Sequence, residues 1–442
     1  MGQLAIIADD LSSCTDCGIQ IARDGLQTFV VLDQTRELSF DDKFDVIAMD
    51  TDSRAVSTEE AYQRVKIIAS LIQHHFISIY KSIDSTLRGN LGVEIDALMD
   101  VIDFDLATIA PAFPFYGRTT IGGIHYLHGK RISETEFASD PQSPVREADL
   151  IKLISSQSRR KVGHIELALL RQGKTAVAKR LGELLSDNVE LVIFDVRLET
   201  DLRRIILSVA SSNYRSLWVG STGLAGHISS ILKIRPEKPF RWQVPENILK
   251  PTLVVAGSAS EVTREQLSKY KQQPGVAAVQ LNPHKIILGR ISREKEIDRC
   301  HTQLLNSLRK GIDVVLDVTS RRDDIATTQA LGQKIGQNSI QVSTNIVEAL
   351  AEITTVIIEN FPVYGLILTG GDTAKAICRH LGAKGIHILK EIEPGIPLAR
   401  LIGSHELYII TKAGGFGNVD TIIYANRFLK GGQGKWKSPS LA

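Results

Sequence analysis

The sequence predicts an α/β protein of two domains, each a mostly parallel sheet flanked by helices. Three observations carry that expectation. Short runs rich in Ile and Val recur along the 442 residues, separated by amphipathic stretches. The runs are apolar throughout rather than alternating, as strands covered on both faces are. Four of the 14 prolines fall between residues 236 and 251, where they break helices and favour extended backbone. At roughly 150 residues per domain, the length fits two or three domains.

In order, LAIIA (4–8), TFVVL (28–32), FDVIAM (44–49), FISIY (76–80), LATIA (106–110), ELVIF (190–194) and SLWVG (216–220) read as strands of a first domain, 1–235. After a linker over 236–251, TLVVAG (252–257), DVVLDV (313–318), YGLILTG (364–370) and ELYIIT (406–411) read as strands of a second, 252–442. Residues 111–148 show no clear period and read as functional loops. Residues 431–442 read as a mobile tail.

Composition narrows the function classes. Lys and Arg number 52 against 50 Asp and Glu, a net charge of +2, so nucleic acid is not expected as a partner. No apolar run approaches the roughly 20 residues of a membrane span. The opening MGQLAIIA lacks a charged leader and reads as a first strand, and Ile6 stands where a myristoylation signal needs Ser or Thr. Four cysteines are too few for a disulfide scaffold, so a reducing cytoplasm is the expected setting.

Ligands of open α/β sheets bind at the carboxyl ends of strands, so the residues after each strand are the candidates. In the first half these carry charge: Asp9-Asp10, then Asp50 to Arg54, then Lys81-Ser82-Ile83-Asp84-Ser85-Thr86-Leu87-Arg88-Gly89. Carboxylates there bind hydroxyls, hold magnesium or accept a proton. Arg54, Lys81 and Arg88 suit a carboxylate or phosphate. Arg118 and His125, in the loop after LATIA, are further candidates. In the second half three strands end in small-residue turns: Gly257-Ser258-Ala259-Ser260, Gly370-Gly371-Asp372-Thr373 and Lys412-Ala413-Gly414-Gly415-Phe416-Gly417. Glycine lets backbone N–H groups approach a ligand, and a helix N-terminus favours anions, so these turns suit a phosphate without a Walker lysine. Gly173-Lys174-Thr175 is no Walker motif, because Ala168 stands where its first glycine belongs. Cys14 and Cys17 lack the second cysteine pair a zinc site needs and read as buried apolar residues.

Taken together these segments resemble the four-carbon acid sugar kinase family. The matching pieces are Ala8-Asp9-Asp10 with Thr15-Asp16, Asp52-Ser53-Arg54, Lys81 to Gly89, Ala110 to Pro114, Gly117 to Thr120, and Gly220-Ser221-Thr222-Gly223-Leu224-Ala225. In the second half they are Gly257 to Ser260, Thr369 to Thr373, Glu393-Pro394-Gly395-Ile396-Pro397, and Lys412 to Gly417. They run collinearly over nearly the whole chain. Ser12-Ser13-Cys14, Asp372 and Ala413 depart from the family's usual Thr-Gly-Ala, Glu and Ser.

The resemblance implies a sugar-acid domain followed by a nucleotide domain, with the active site in the cleft between them. It implies ATP and Mg²⁺ as cofactors and transfer to the terminal hydroxyl of a four-carbon acid, D-threonate foremost, with D-erythronate, 3-oxo-tetronate or a non-catalytic sensor as alternatives. Carried over by position, Asp9, Asp10, Arg54, Lys81, Ser82, Asp84, Arg88, Arg118 and His125 contact the acid, with Asp84, Asp9 and Lys81 catalytic. Ser258, Ser260, Gly370, Gly371, Asp372, Thr373, Gly414, Gly415 and Gly417 contact ATP. A homodimer is also among the expectations.

Overall fold

The computed structural model describes residues 2–32, 44–140, 143–236, 240, 242, 250–258, 260–318 and 322–431. Most of the expected linker (237–239, 241 and 243–249) and the expected tail from 432 on lie outside them. The described residues fall into two compact units, 2–31 with 44–240, and Leu32 with 242–431.

The first unit contains β1 (Gly2–Ala8), α1 (Leu11–Ala22), β2 (Thr28–Val31), β3 (Val46–Asp50), α2 (Thr58–Ile72), β4 (Phe76–Ser82), α3 (Leu91–Met99) and β5 (Leu106–Ala110). There follow β6 (Arg118–Ile121), β7 (Ile124–Leu127), β8 (Lys130–Arg131), α4 (Leu150–Gln157), β9 (Lys161–Ile165), α5 (Leu167–Leu170), α6 (Lys174–Ser186), β10 (Val189–Phe194), α7 (Glu199–Ala210), β11 (Ser216–Gly220) and α8 (Thr222–Leu232). The main strands lie in the order β2-β3-β1-β4-β11-β5-β10-β9, all parallel. β1, β3 and β5 are apolar over most of their length because helices cover both faces. Cys14 and Cys17 on α1 are buried and unbridged, with Cys17 Sγ 3.2 Å from Ser82 Oγ. Gly173 does start α6, as an ordinary helix entry at φ 99°. The segment read as loops holds a separate three-stranded antiparallel sheet, β6-β7-β8. Strands of two to four residues are too short to show a period.

The second unit contains β12 (Leu253–Ala256), α9 (Glu261–Lys271), β13 (Val276–Leu281), α10 (Pro283–Ile287), α11 (Arg290–Leu308), β14 (Asp313–Val318), α12 (Arg322–Lys334), α13 (Ser339–Asn360), β15 (Gly365–Thr369) and α14 (Gly371–His380). It ends with β16 (Ala383–Glu393), β17 (Ile396–Gly403), β18 (Tyr408–Lys412) and α15 (Thr421–Leu429). The order is β13-β14-β12-β15-β18-β17-β16, parallel as far as β18 and antiparallel beyond. No helix among the described residues is long and apolar enough to cross a membrane.

Both parallel orders reverse direction about a central pair. In the first unit β1 lies between β3 and β4, and in the second β12 lies between β14 and β15. The crevice above such a reversal is where open α/β sheets take ligands. The charged turns follow β1, β3 and β4, and the glycine turns follow β12, β15 and β18.

Candidate active site

In the first unit the turns after β1 and β3 are tied together by backbone. The amides of Thr51 and Ser53 donate to the carbonyls of Ala8 and Asp9. Asp52 and Leu87 hold left-handed backbone at φ 50° and 66°, uncommon for non-glycine residues and an indication that their turns are tightly determined. On this frame Arg54 donates from Nε and Nη2 to both oxygens of Asp9 at 2.8 Å, from Nη1 to Asp10 Oδ2 at 2.5 Å, and from Nη2 to Ser13 Oγ at 3.0 Å. Asp10 also caps α1 by accepting from the Ser13 amide. Gly89, at φ 96°, lies against this cluster, and a Cβ there would stand 3.3 Å from Arg54 Cγ and 3.4 Å from Asp9 Oδ2.

The turn after β4 supplies Asp84, whose Oδ2 accepts from Arg88 Nε at 2.5 Å and Thr86 Oγ1 at 2.6 Å. Burial by itself would raise the Asp84 carboxyl, but the charges of Arg88 and Arg54 and these hydrogen bonds hold it well below the usual range. Among the described residues its Oδ1 meets the Thr86 amide alone, at 3.3 Å, and keeps acceptor capacity. Arg88 reaches Asp140 as well. Arg118 at the start of β6 differs from these arginines. Its Nη1 donates to Ser85 Oγ at 2.9 Å, its guanidinium lies 5.8 Å from the Tyr116 ring centroid, and its Nε is buried without a partner. Among the described residues no carboxylate pairs with it. Burial lowers its pKa, with Asp84 opposing and Arg88 adding to the effect.

Three expected contacts lie beneath this surface. Lys81 is fully buried, with Nζ 2.6 Å from Glu94 Oε2 and 2.7 Å from the Ser82 carbonyl, while Glu94 Oε1 accepts from Ser53 Oγ. The arrangement braces the β3 and β4 turns from below. Ser82 is buried too, beside Cys17. His125 is 0% exposed, and burial lowers its pKa to about 4 despite its bond to the Ser85 carbonyl. It is therefore neutral near pH 7. Because the Ser85 carbonyl can only accept, Nε2 carries the proton and Nδ1 accepts from Thr120 Oγ1. Both ring nitrogens are engaged, so His125 supports the Ser85 turn and has no nitrogen left for a ligand.

In the second unit the three glycine turns converge. A Cβ on Gly257 would stand 2.1 Å from Thr373 Oγ1, and one on Gly414 2.2 Å from Ser258 Oγ. Gly370 lies at φ 104°, its amide bonded to the Lys412 carbonyl and its Cβ position 3.5 Å from the Ser258 amide. The first-turn amides of α14, at Gly371, Asp372 and Thr373, have no carbonyl one turn back to bond. Ser260 stands at the N-cap position of α9 without a side-chain capping bond, its amide bonded to Ser258 Oγ; Ala259 lies outside the described residues. The amides of Gly414, Gly415 and Gly417 have no partner among the described residues. Space above Gly415 is open, with nothing within 4 Å of a Cβ there. Amides at a helix start and in a glycine loop suit a polyanion. No group of three or more His, Cys, Asp or Glu among the described residues is placed to hold a metal.

The sequence did not single out Glu94, nor a structural task for Lys412 under the third turn. Glu94 acts through contacts with residues far off in the chain, which leave no local pattern, and Lys412 bonds carbonyls of its own turn, whose direction a sequence does not display. The Gly220–Ala225 segment, matched above as a motif, is packing. A Cβ on Gly220 would meet the Ala110 carbonyl at 2.8 Å, and one on Gly223 the Ala112 carbonyl at 2.7 Å.

Comparison with known proteins assigns a family model to each unit. A family model described as a sugar-binding N-terminal domain matches residues 4–228, and one described as a nucleotide-binding C-terminal domain matches 253–422. The chain is 33% identical over 431 residues to D-erythronate kinase of Heliobacterium modesticaldum, covering 95% of each. It is 32% identical over 434 residues to D-threonate kinase of Salmonella typhimurium, covering 97% of this chain and 98% of the relative. It is 27% identical to 3-oxo-tetronate kinase of Pseudomonas savastanoi pv. phaseolicola, covering 97% of each. A solved Salmonella typhimurium structure shares the fold, with a TM-score of 0.81 at 21% identity over 97% of this chain and 99% of that one.

Proposed function

Since the chain belongs to the four-carbon acid sugar kinases, we propose that it moves the terminal phosphoryl group of ATP onto the terminal hydroxyl of D-threonate or of its C2 epimer D-erythronate. The observation that carries the substrate side is Arg118. It is the guanidinium of the first-unit cluster that has no carboxylate partner among the described residues, while Arg54 and Arg88 are already neutralised. A half-buried guanidinium without a carboxylate partner, beside hydrogen-bonding groups, suits a small carboxylate.

Bound ATP supplies the phosphoryl group, and Mg²⁺ carried with its phosphates offsets their charge. Such an ion needs few protein ligands, because phosphates and water fill most of its shell. The amides of Gly371, Thr373, Gly414, Gly415 and Gly417 hold the phosphates. Arg118 holds the carboxylate of the acid. Asp84 Oδ1 accepts a hydrogen bond from the attacking hydroxyl and aims it. Held so far below the usual range, Asp84 is a weak base, which suits a loose transfer in which the proton leaves late. Lys81 and His125 fix the turns that carry these groups. In-line transfer requires the two sites to meet in the reacting complex.

The test is ADP release measured with D-threonate, D-erythronate and 3-oxo-tetronate in turn. Release that depends on D-threonate or D-erythronate is expected. Release with none of the three would contradict the proposal, and release with 3-oxo-tetronate alone would replace its substrate.

A further inference from the structure

Beneath the loop after β18 lies a single buried ammonium. Lys412, 4% exposed, donates from Nζ to the carbonyls of Ala413 at 2.9 Å, Gly414 at 3.0 Å and Phe416 at 3.1 Å, and to Thr263 Oγ1 at 3.2 Å. Two side chains of α9 finish the arrangement. Thr263 Oγ1 donates to the Gly414 carbonyl, and Gln266 Nε2 donates to the carbonyls of Phe416 and Asn418. Phe416 is seated over the β16–β17 turn, where a Cβ on Gly395 would come within 2.6 Å of its ring.

The peptide unit is planar and trans, so a carbonyl pulled one way sends the next residue's N–H the other way. Carbonyls of 413, 414 and 416 directed at Lys412 therefore direct the amides of Gly414, Gly415 and Gly417 away from it. These are the amides left without partners. We propose that Lys412 is a positioning residue whose ammonium assembles the amide cradle for the nucleotide's phosphates without touching them. The inference rests on the nucleotide-site reading given above.

An ammonium has three N–H donors and no acceptor, so it can serve the three carbonyls, with the longer contact to Thr263 Oγ1 shared. A neutral amine has two donors and a lone pair, and one carbonyl would turn loose. Burial lowers the Lys412 pKa to about 8, with Glu393 at the end of β16 partly opposing. Of the groups packed around it, Thr263 and Gln266 on α9 do not ionise. Thr421 at the start of α15 bonds Glu393, and Asp420 beside it acts on Glu393 in turn. Bound phosphates favour the ammonium, so above pH 8 nucleotide binding takes up a proton. Affinity is then level below pH 8 and falls above it, by at most about tenfold per pH unit for one proton. Stability runs the other way. An unfolded lysine stays protonated to about pH 10.4, so between pH 8 and that value the unfolded state binds more protons and this group's contribution to stability rises with pH. A merely structural lysine would not couple its charge to nucleotide affinity.

The experiment is calorimetric titration of the full chain with ADP from pH 7 to 9.5, alongside Lys412→Met, with the KM for the sugar acid measured at pH 7. The wild type is expected to lose affinity only above pH 8. Lys412→Met is expected to bind roughly tenfold or more weakly at pH 7, to lose the pH dependence, and to leave the KM for the acid unchanged. A folded Lys412→Met protein that binds ADP like the wild type overturns the inference while leaving the nucleotide site intact. Should Lys412→Met not fold, Lys412→Gln is titrated instead, since a neutral amide with two donors cannot hold three carbonyls, and wild-type ADP affinity there overturns the inference equally. A wild type that binds no nucleotide at any pH overturns the site reading and this inference with it.

Discussion

Arg54 and Arg118 carry the same group into one cluster, and their neighbours give them different tasks. Arg54 is locked to Asp9 and Asp10, which makes it part of the frame. Arg118 has no carboxylate partner among the described residues, which makes it the proposed recognition element. Arg118→Ala is expected to raise the KM for the sugar acid by roughly tenfold or more while leaving the KM for ATP within about twofold. Arg118→Lys should recover little of this, because an ammonium lacks the planar fork. Steady-state kinetics with each substrate varied in turn checks both. Lys81 shows the complementary case. Lys81→Met strands the Glu94 carboxylate in the interior and should cost about 3–5 kcal/mol of stability, whereas Lys81→Met with Glu94→Leu should regain most of it. Denaturant melts of the two variants decide; equal losses would mean that the pair is not what braces these turns. The sequence named Arg118 and Lys81 alike as contacts, since a residue type after a strand marks the right neighbourhood. Which of them faces a ligand depends on partners such as Glu94, 13 positions beyond Lys81 on another element, and no local pattern encodes that.

At the scale of elements, glycine decides where three turns can meet. Gly414 lies against Ser258, where a Cβ would come within 2.2 Å of its hydroxyl, while Gly415 faces open space. Gly414→Ala must therefore turn the Ser258 hydroxyl off the Ser260 amide and crowd Ser260, and is expected to weaken ADP binding about tenfold or more. Gly415→Ala has room and should stay within a few-fold. The contrast is read by titration, and equal effects would mean that the turns do not converge as described. These turns were legible because a strand followed by small residues is a local signal. The antiparallel pair β16 and β17 was not. Lys384, Lys390 and Glu391 interrupt the apolar content of β16, which carries register shifts against its partner. Such a strand does not look like a doubly covered parallel one.

At the scale of the whole molecule, the chain joins a unit with a charged crevice to one with an amide crevice, each at the reversal of its own parallel sheet. Periodicity and the proline cluster gave the number of units, and the ordered motifs gave the family. The acid itself was less legible, because D-threonate and D-erythronate differ at one carbon and the same charged residues meet either. The central claim is tested most directly by nuclear magnetic resonance of the product formed from ATP and ¹³C-labelled D-threonate or D-erythronate. Phosphorus coupled to the terminal carbon, with stoichiometric ADP, is the predicted result. ATP consumed at the same rate without either acid, or an acid recovered unphosphorylated, would contradict it.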